Sequence, residues 1–446
     1  MSKFIDRPRY LCALGGAIST LQTLPKAVPI LHASAGCGSN ISFALNYAAG
    51  YYGSSYCGGQ ALPSSNVYEN EIVFGGEGRL EEQIENTLKV IDGELYFVLT
   101  GCMVEMIGDD ARGVAKKFSS GKVSVLAADT GGFHGNSFKG YDIVLSTLFR
   151  DFVVKNAFKN EKLLNLWGVV PLQDVFWKGN LKSLKSILTE LGYHVNTFFG
   201  EGETLDNLRN SGAAAMNIVV SDVYGIEPAK VFEEIHGVPY ITVPFPIGEN
   251  GTEIFIREIA KALGIEKAFT EKVIRKQKAR YYSYTERLAD VYNDLDLQRY
   301  AVIVADSNYA QALTRYASDD LGWLPELVVI TDILTDEEKE AVSKRFSNYK
   351  SGLKPEVVFD TDTSSVKKYL NAHWPNNRGQ KYYNSFSPAF IFGSSFERDL
   401  ADELKIPSIS VTYPISNRLV LDRAYAGYDG ALRLTEDVFS TLLGTR

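Results

Sequence analysis

The feature that most limits the folds open to this chain is a recurring pair: a short, almost wholly apolar run, then a turn and an amphipathic helix. Such runs stand at 95–100 (Leu-Tyr-Phe-Val-Leu-Thr), 122–128, 163–170, 214–221, 240–244, 300–305, 327–331, 357–360, 389–392 and 409–411. Strands without apolar–polar alternation are covered on both faces, as in a parallel sheet with crossover helices. The helices between them are read from spacing and caps. Leu80, Ile84 and Leu88 lie four apart within 78–88 and share one helical face. Segments 181–191 and 229–235 read the same way. Thr335-Asp336-Glu337-Glu338 is a capping box that opens a helix running to about Phe346. Residues 253–292 read as a helical connector rich in Lys and Arg, interrupted near Gly264, and 376–380 as a polar loop.

A chain of 446 residues is too long for one core, and at roughly 100–200 residues per domain it divides into about three. Boundaries near 155 and 290 predict three doubly wound, Rossmann-like α/β domains with parallel sheets. They are 1–155, joined by C-terminal helices in 415–446, then 156–290 with the connector, and 291–414. The net charge of −8 and scattered basic residues argue against a nucleic-acid partner. No apolar run approaches the ~20 residues of a membrane span. The N-terminus lacks the apolar centre of a secretory signal, so the chain is expected in the cytoplasm.

All four cysteines, Cys12, Cys37, Cys57 and Cys102, fall in the first quarter of the chain. In a cytoplasmic protein they are metal ligands, reactive thiols or small buried hydrophobes before they are a disulfide framework. No Cys-x-x-Cys is present, so a zinc knuckle and a thioredoxin-type dithiol do not fit. Small residues flank Cys12, Cys37 and Cys102, so backbone can come close to something bulky there. Thiolates at strand ends or helix starts can converge on an iron–sulfur cluster, and Cys37 and Cys102 sit at such junctions. Either Cys57 completes the set or a partner chain supplies what is missing. His32, five residues before Cys37, is the one histidine near a candidate ligand. Other features have a simpler reading. Asp109 and Asp110 suit helix capping better than acid–base work, as do Asp306-Ser307 and Ser394-Ser395. The glycine-rich segments 74–78 and 199–203 are turns rather than dinucleotide fingerprints.

Taken in order, these motifs resemble the component 1 subunits of nitrogenase and its relatives. His32-Ala33-Ser34-Ala35-Gly36-Cys37 is similar to that family's His-Gly-Ser-x-Gly-Cys, and Thr100-Gly101-Cys102 through Ile107-Gly108-Asp109-Asp110 to its Thr-x-Cys…Ile-Gly-Asp-Asp. Thr130 to Asn136 with Gly140-Tyr141-Asp142, and Tyr413 to Arg418 with Gly427 to Ala431, resemble segments of its β-type chain. The resemblance implies an iron–sulfur cluster, either 4Fe–4S or 8Fe–7S and P-cluster-like, held by Cys12, Cys37 and Cys102 at an interface with a related α-type chain. It also implies a heterotetramer, and electrons from an ATP-dependent iron protein. Cys57 has no counterpart in the family. Ser221 stands where α-type chains have a cofactor-binding cysteine, no cysteine follows Cys102, and no histidine follows His373. The expected protein is therefore a β-like subunit of a nitrogenase-type oxidoreductase, which relays electrons and lacks the catalytic-cofactor ligands. Gly132 replaces a serine that can ligate the oxidised cluster in β-type chains, which favours the 4Fe–4S form. The alternatives are a non-catalytic scaffold for cofactor maturation, a reductase of tetrapyrroles or methylthioalkanes, and a homodimer holding one cluster with its own cysteines.

Overall fold

The computed structural model describes residues 4–51, 62–120, 123–294, 299–374 and 389–444. Cys57 and the polar loop at 376–380 lie outside the described residues. Among the described residues, three sheets are built from twelve strands. The first contains β1 (Ala27–His32), β2 (Leu95–Thr100) and β3 (Ser124–Ala128), in the order β1-β2-β3. The second contains β4 (Asn160–Trp167), β5 (His194–Asn196), β6 (Ala214–Val219) and β7 (Tyr240–Thr242), in the order β5-β4-β6-β7. The third contains β8 (Tyr300–Ala305), β9 (Leu324–Ile330), β10 (Glu356–Phe359), β11 (Phe390–Gly393) and β12 (Ser408–Ser410), in the order β10-β9-β8-β11-β12. Every pairing within them is parallel. The architecture is the Rossmann-like α/β arrangement that the apolar runs predict.

Burial explains those runs. All six residues of β2 are buried. Leu95, Phe97 and Leu99 point into the large core that runs among the three sheets. Tyr96 and Val98 point the other way, into a smaller core with Leu80 and Ile84 of the helix Glu77–Val90. In the third sheet Val302 and Val304 face a separate outer core while Ala301 and Ile303 face the main one. A strand covered on both faces carries few polar residues, and each large apolar side chain so buried contributes ~1.5–3 kcal/mol.

Two strands, β1 and β5, lie outside the apolar runs read from the sequence. β1 contains Pro29, which cannot donate to a ladder and is tolerated at a sheet margin. β5 is a three-residue edge of His, Val and Asn. Among the helices, the capping box at Thr335 and Glu338 is present. The connector is three helices, Gly248–Ala262, Lys267–Thr285 and Leu288–Asp294. Its first break comes at Gly264, where φ is +65°. Asp306 and Ser394 cap the helical turns that follow β8 and β11. The helix Gly427–Gly444 packs against Trp177–Glu190 and the first two connector helices. Among the described residues no helix is long and apolar enough to cross a membrane.

Candidate metal centre

Parallel α/β sheets present ligand sites beyond the carboxyl ends of their strands. In the first sheet those ends are His32, Thr100 and Ala128, and the three thiols gather there. Cys37 lies in the first turn of the helix Ala35–Ala48 that follows β1, and Ser34 Oγ is 3.7 Å from its sulfur. Cys102 opens the helix Cys102–Ile107 after β2. Cys12 is the residue before the helix Ala13–Gln22, and it pairs with Asn136 in the segment that follows β3. Ala13 N–H donates to Gly135 O at 2.9 Å. Each thiol thus stands at a helix start, where unpaired N–H groups favour a negative ligand atom. Cys12 and Cys102 are exposed and Cys37 is half-buried.

Glycine brings the loops together. Gly132 N–H donates to Cys102 Sγ at 3.0 Å. A Cβ at position 132 would lie 3.3 Å from Cys102 Sγ, 3.3 Å from Cys12 Cβ and 3.9 Å from Cys12 Sγ. Cys12 and Cys102 therefore flank one glycine. A Cβ on Gly101 would fall 2.7 Å from Ala33 Cβ, so the loop leading to Cys37 rests against the loop of Cys102.

Glu105, which sequence reasoning did not single out, fastens the Gly132 loop. It accepts hydrogen bonds from Thr100 Oγ1, from Gly131 N–H at 2.6 Å and from His134 Nε2 at 2.7 Å. Its position three residues after Cys102, on the same helical face, was the available signal. The paired aspartates divide their work. Asp110 caps the helix Ala111–Phe118 through Gly113 N–H at 2.8 Å, as expected. Asp109 instead accepts from Gly76 N–H at 3.0 Å and lies 2.9 Å from His32 Nε2. His32 is buried, with Nδ1 2.9 Å from Ser65 Oγ. Burial pushes its pKa down, against the opposing pull of Asp109. His32 ties the end of β1 to its neighbours and does not point into the thiol group.

Among the described residues no three Cys, His, Asp or Glu side chains close on a single metal ion. The thiols are spread across the carboxyl end of the sheet, a donor set suited to a multi-iron cluster, in which each thiolate takes a different iron. Exposed apolar side chains stand on the elements that carry or neighbour the thiols: Phe43, Tyr47, Tyr68, Phe74, Met106 and Phe133, with Phe74 85% exposed. Phe43 and Tyr47 stack at 5.8 Å, and the helix Glu69–Phe74 packs on Cys102–Ile107. Exposed large apolar side chains grouped on adjacent elements suit a contact face.

The carboxyl end of the second sheet is filled by the chain itself. Ser221 Oγ accepts from Val223 N–H at 3.0 Å and Tyr224 N–H at 2.9 Å, closing its own turn. Asn308, from the helix after β8, donates to Gly168 O and Val220 O at the ends of β4 and β6.

The sequence profile of the family described as nitrogenase component 1 type oxidoreductase matches residues 12–443. The chain is 22% identical to the nitrogenase molybdenum-iron protein beta chain of Methanococcus maripaludis, over 98% of this chain and 94% of that one. It is 24% identical to the nitrogenase vanadium-iron protein beta chain of Trichormus variabilis, over 96% and 91%. It is 25% identical to one of the subunits of the light-independent protochlorophyllide reductase of Tetradesmus obliquus, over 85% and 74%. The solved structure of "Nitrogenase Cp1 at pH 6.5" superposes with a TM-score of 0.79 at 17% identity, covering 100% of this chain and 94% of that chain.

Proposed function

Because the chain belongs to the nitrogenase component 1 type oxidoreductases and is of their β type, we propose that it is a β-like subunit that shares an iron–sulfur cluster with a related α-type chain. In this reading it relays electrons from an ATP-dependent iron protein to the catalytic site of that partner, within a heterotetramer in the cytoplasm. The observation that supports it is that Cys12, Cys37 and Cys102 lie at the carboxyl end of one sheet, with exposed apolar side chains on the same and neighbouring elements. When bound, the cluster supplies reversible one-electron chemistry. The chain's own residues do the rest. The three thiolates hold iron. Gly132 N–H stabilises negative charge on the Cys102 sulfur, and Glu105 keeps that loop in place. The apolar side chains exclude water once covered, which sets the dielectric around the sulfurs.

The test is anaerobic purification with and without the α-type partner, followed by iron per chain, subunit stoichiometry and the EPR spectrum. Cys12→Ala, Cys37→Ala and Cys102→Ala are each expected to lower iron. Full iron in all three variants would falsify the cluster. A chain that holds iron alone as a homodimer removes the shared site.

A second reading keeps the three-cysteine site and changes the substrate to a tetrapyrrole. It is favoured by the likeness to the protochlorophyllide reductase chain and by glycine at position 132. Turnover of dinitrogen against protochlorophyllide by the assembled complex separates the two. Absence of any iron-protein-dependent turnover by a fully loaded complex would leave the scaffold role.

A further inference from the structure

The segment just before Cys12 is held by the third sheet. The order β10-β9-β8-β11-β12 puts the switch point of that sheet between β8 and β11, where successive connections leave in opposite directions. Arg9 lies at the exit of β11. Its Nη1 donates to Ser394 Oγ at 2.8 Å and to Glu397 Oε2 at 3.1 Å, and its Nη2 to Glu397 Oε1 at 2.6 Å. Tyr10 lies at the exit of β9, with its hydroxyl 2.6 Å from Thr331 Oγ1. β8 runs between those two strands, so residues 9 and 10 cross the switch point. Upstream, the N–H groups of Asp6 and Arg7 donate to the Asp362 carboxylate at 3.2 and 3.1 Å. The Tyr10 ring meets Phe138 edge-on at 5.0 Å, and Phe138 stacks on Tyr224 at 4.1 Å.

Downstream of Cys12 the anchor changes. Ala13 is bound to Gly135, on the segment that follows β3. Cys12 is therefore suspended between two sheets, with only Leu11 separating it from Tyr10. Cys37 and Cys102 are carried wholly on loops of the first sheet. The side chains of Arg9 and Glu397 are 0% and 1% exposed. A buried two-pronged pair of this kind fixes direction more than it adds stability.

We propose that Arg9 and Glu397 are positioning residues for Cys12. Their ion pair ties the strap at residues 6–10 to the third sheet and so sets the angle at which the Cys12 thiol meets Gly132 and Cys102. The proposal rests on the reading of the three cysteines as cluster ligands.

The test uses the full chain loaded with its partner. The double variant Arg9→Met with Glu397→Leu removes both charges at once, because loss of one alone would strand the other in the interior. A second variant, Arg9→Lys, keeps the charge and loses the fork. Amide hydrogen exchange is expected to quicken at residues 10–13 and to stay unchanged at 33–38 and 100–106. The EPR spectrum of the reduced complex should shift, and a chelator should remove iron several-fold faster, with Arg9→Lys showing the smaller effect. Faster exchange with an unaltered spectrum and unaltered iron release would make the strap purely structural and overturn the proposal. So would unchanged exchange. A wild-type complex that carries no iron instead sinks the cluster reading itself.

Discussion

Three side chains and one glycine define the candidate centre, and each has its own test. Small neighbours and junction positions made Cys37 and Cys102 candidates in the sequence, because these are local features, and the family resemblance added Cys12. Glu105 and Arg9 were not, because their partners lie far along the chain: Gly131 is 26 residues from Glu105, and Glu397 is 388 from Arg9. Hydrogen bonds to a charged group are worth about 1.5–3 kcal/mol. Glu105→Gln removes the charge that receives Gly131 and His134, so urea unfolding should show a loss of about 1–3 kcal/mol. Iron should be released faster as well, since the Gly132 loop loosens. Gly132→Ser asks the opposite question. The new Cβ must sit 3.3 Å from Cys102 Sγ, a tight but adjustable contact. The variant should fold, and its hydroxyl should alter the spectrum of the oxidised complex while sparing the reduced one. An unchanged oxidised spectrum would show that the side chain at 132 does not reach the centre.

The elements that carry the thiols owe their spacing to two glycines. A Cβ on Gly16 would fall 1.8 Å from Ser137 O, and one on Gly140 would fall 2.0 Å from Ala13 O. The helices Ala13–Gln22 and Ser137–Asp151 thus cross backbone against backbone, and the first of them begins immediately after Cys12. Gly140→Ala should push them apart at a cost of about 1–3 kcal/mol. Iron content should fall with it, while Ile84→Ala, in the outer core of the first sheet, should cost about 2–5 kcal/mol and leave bound iron unchanged per folded chain. Chemical denaturation with iron analysis checks both. The sequence placed small residues beside the thiols. It did not show that what approaches them is another helix, since a helix crossing is set by tertiary packing. The strands were legible for a similar reason in reverse. Burial on both faces writes itself into the residues; β1 is buried as well, but Pro29 interrupts its run, and β5 is only three residues long.

At the scale of the whole molecule, burial raises the titration range of several carboxyls in the interior. Burial pushes Asp142 up to about 8, and Asp174, Asp320 and Asp332 up to about 7. In the unfolded chain these groups titrate near 3.9. Between about 4 and 8 the folded state binds more protons than the unfolded one, so their contribution to stability is complete below pH 4 and is lost as pH rises through 7 and 8. The urea midpoint should therefore fall between pH 6 and pH 9. Asp142→Asn, which can still accept from Gly225 N–H, should flatten the upper part of that fall. A wild-type midpoint that rises over the same range would contradict these carboxyl assignments. The exposed apolar side chains on the elements that carry or neighbour the thiols have a consequence for synthesis. Phe43, Phe74 and Met106 are exposed on the single chain, and sticky surface of that extent invites aggregation and capture by chaperones. If the proposed α-type chain covers this face, a cell that makes this subunit in excess of it should find the surplus insoluble or degraded, and the dosage of the two genes would be tied to one surface of this protein.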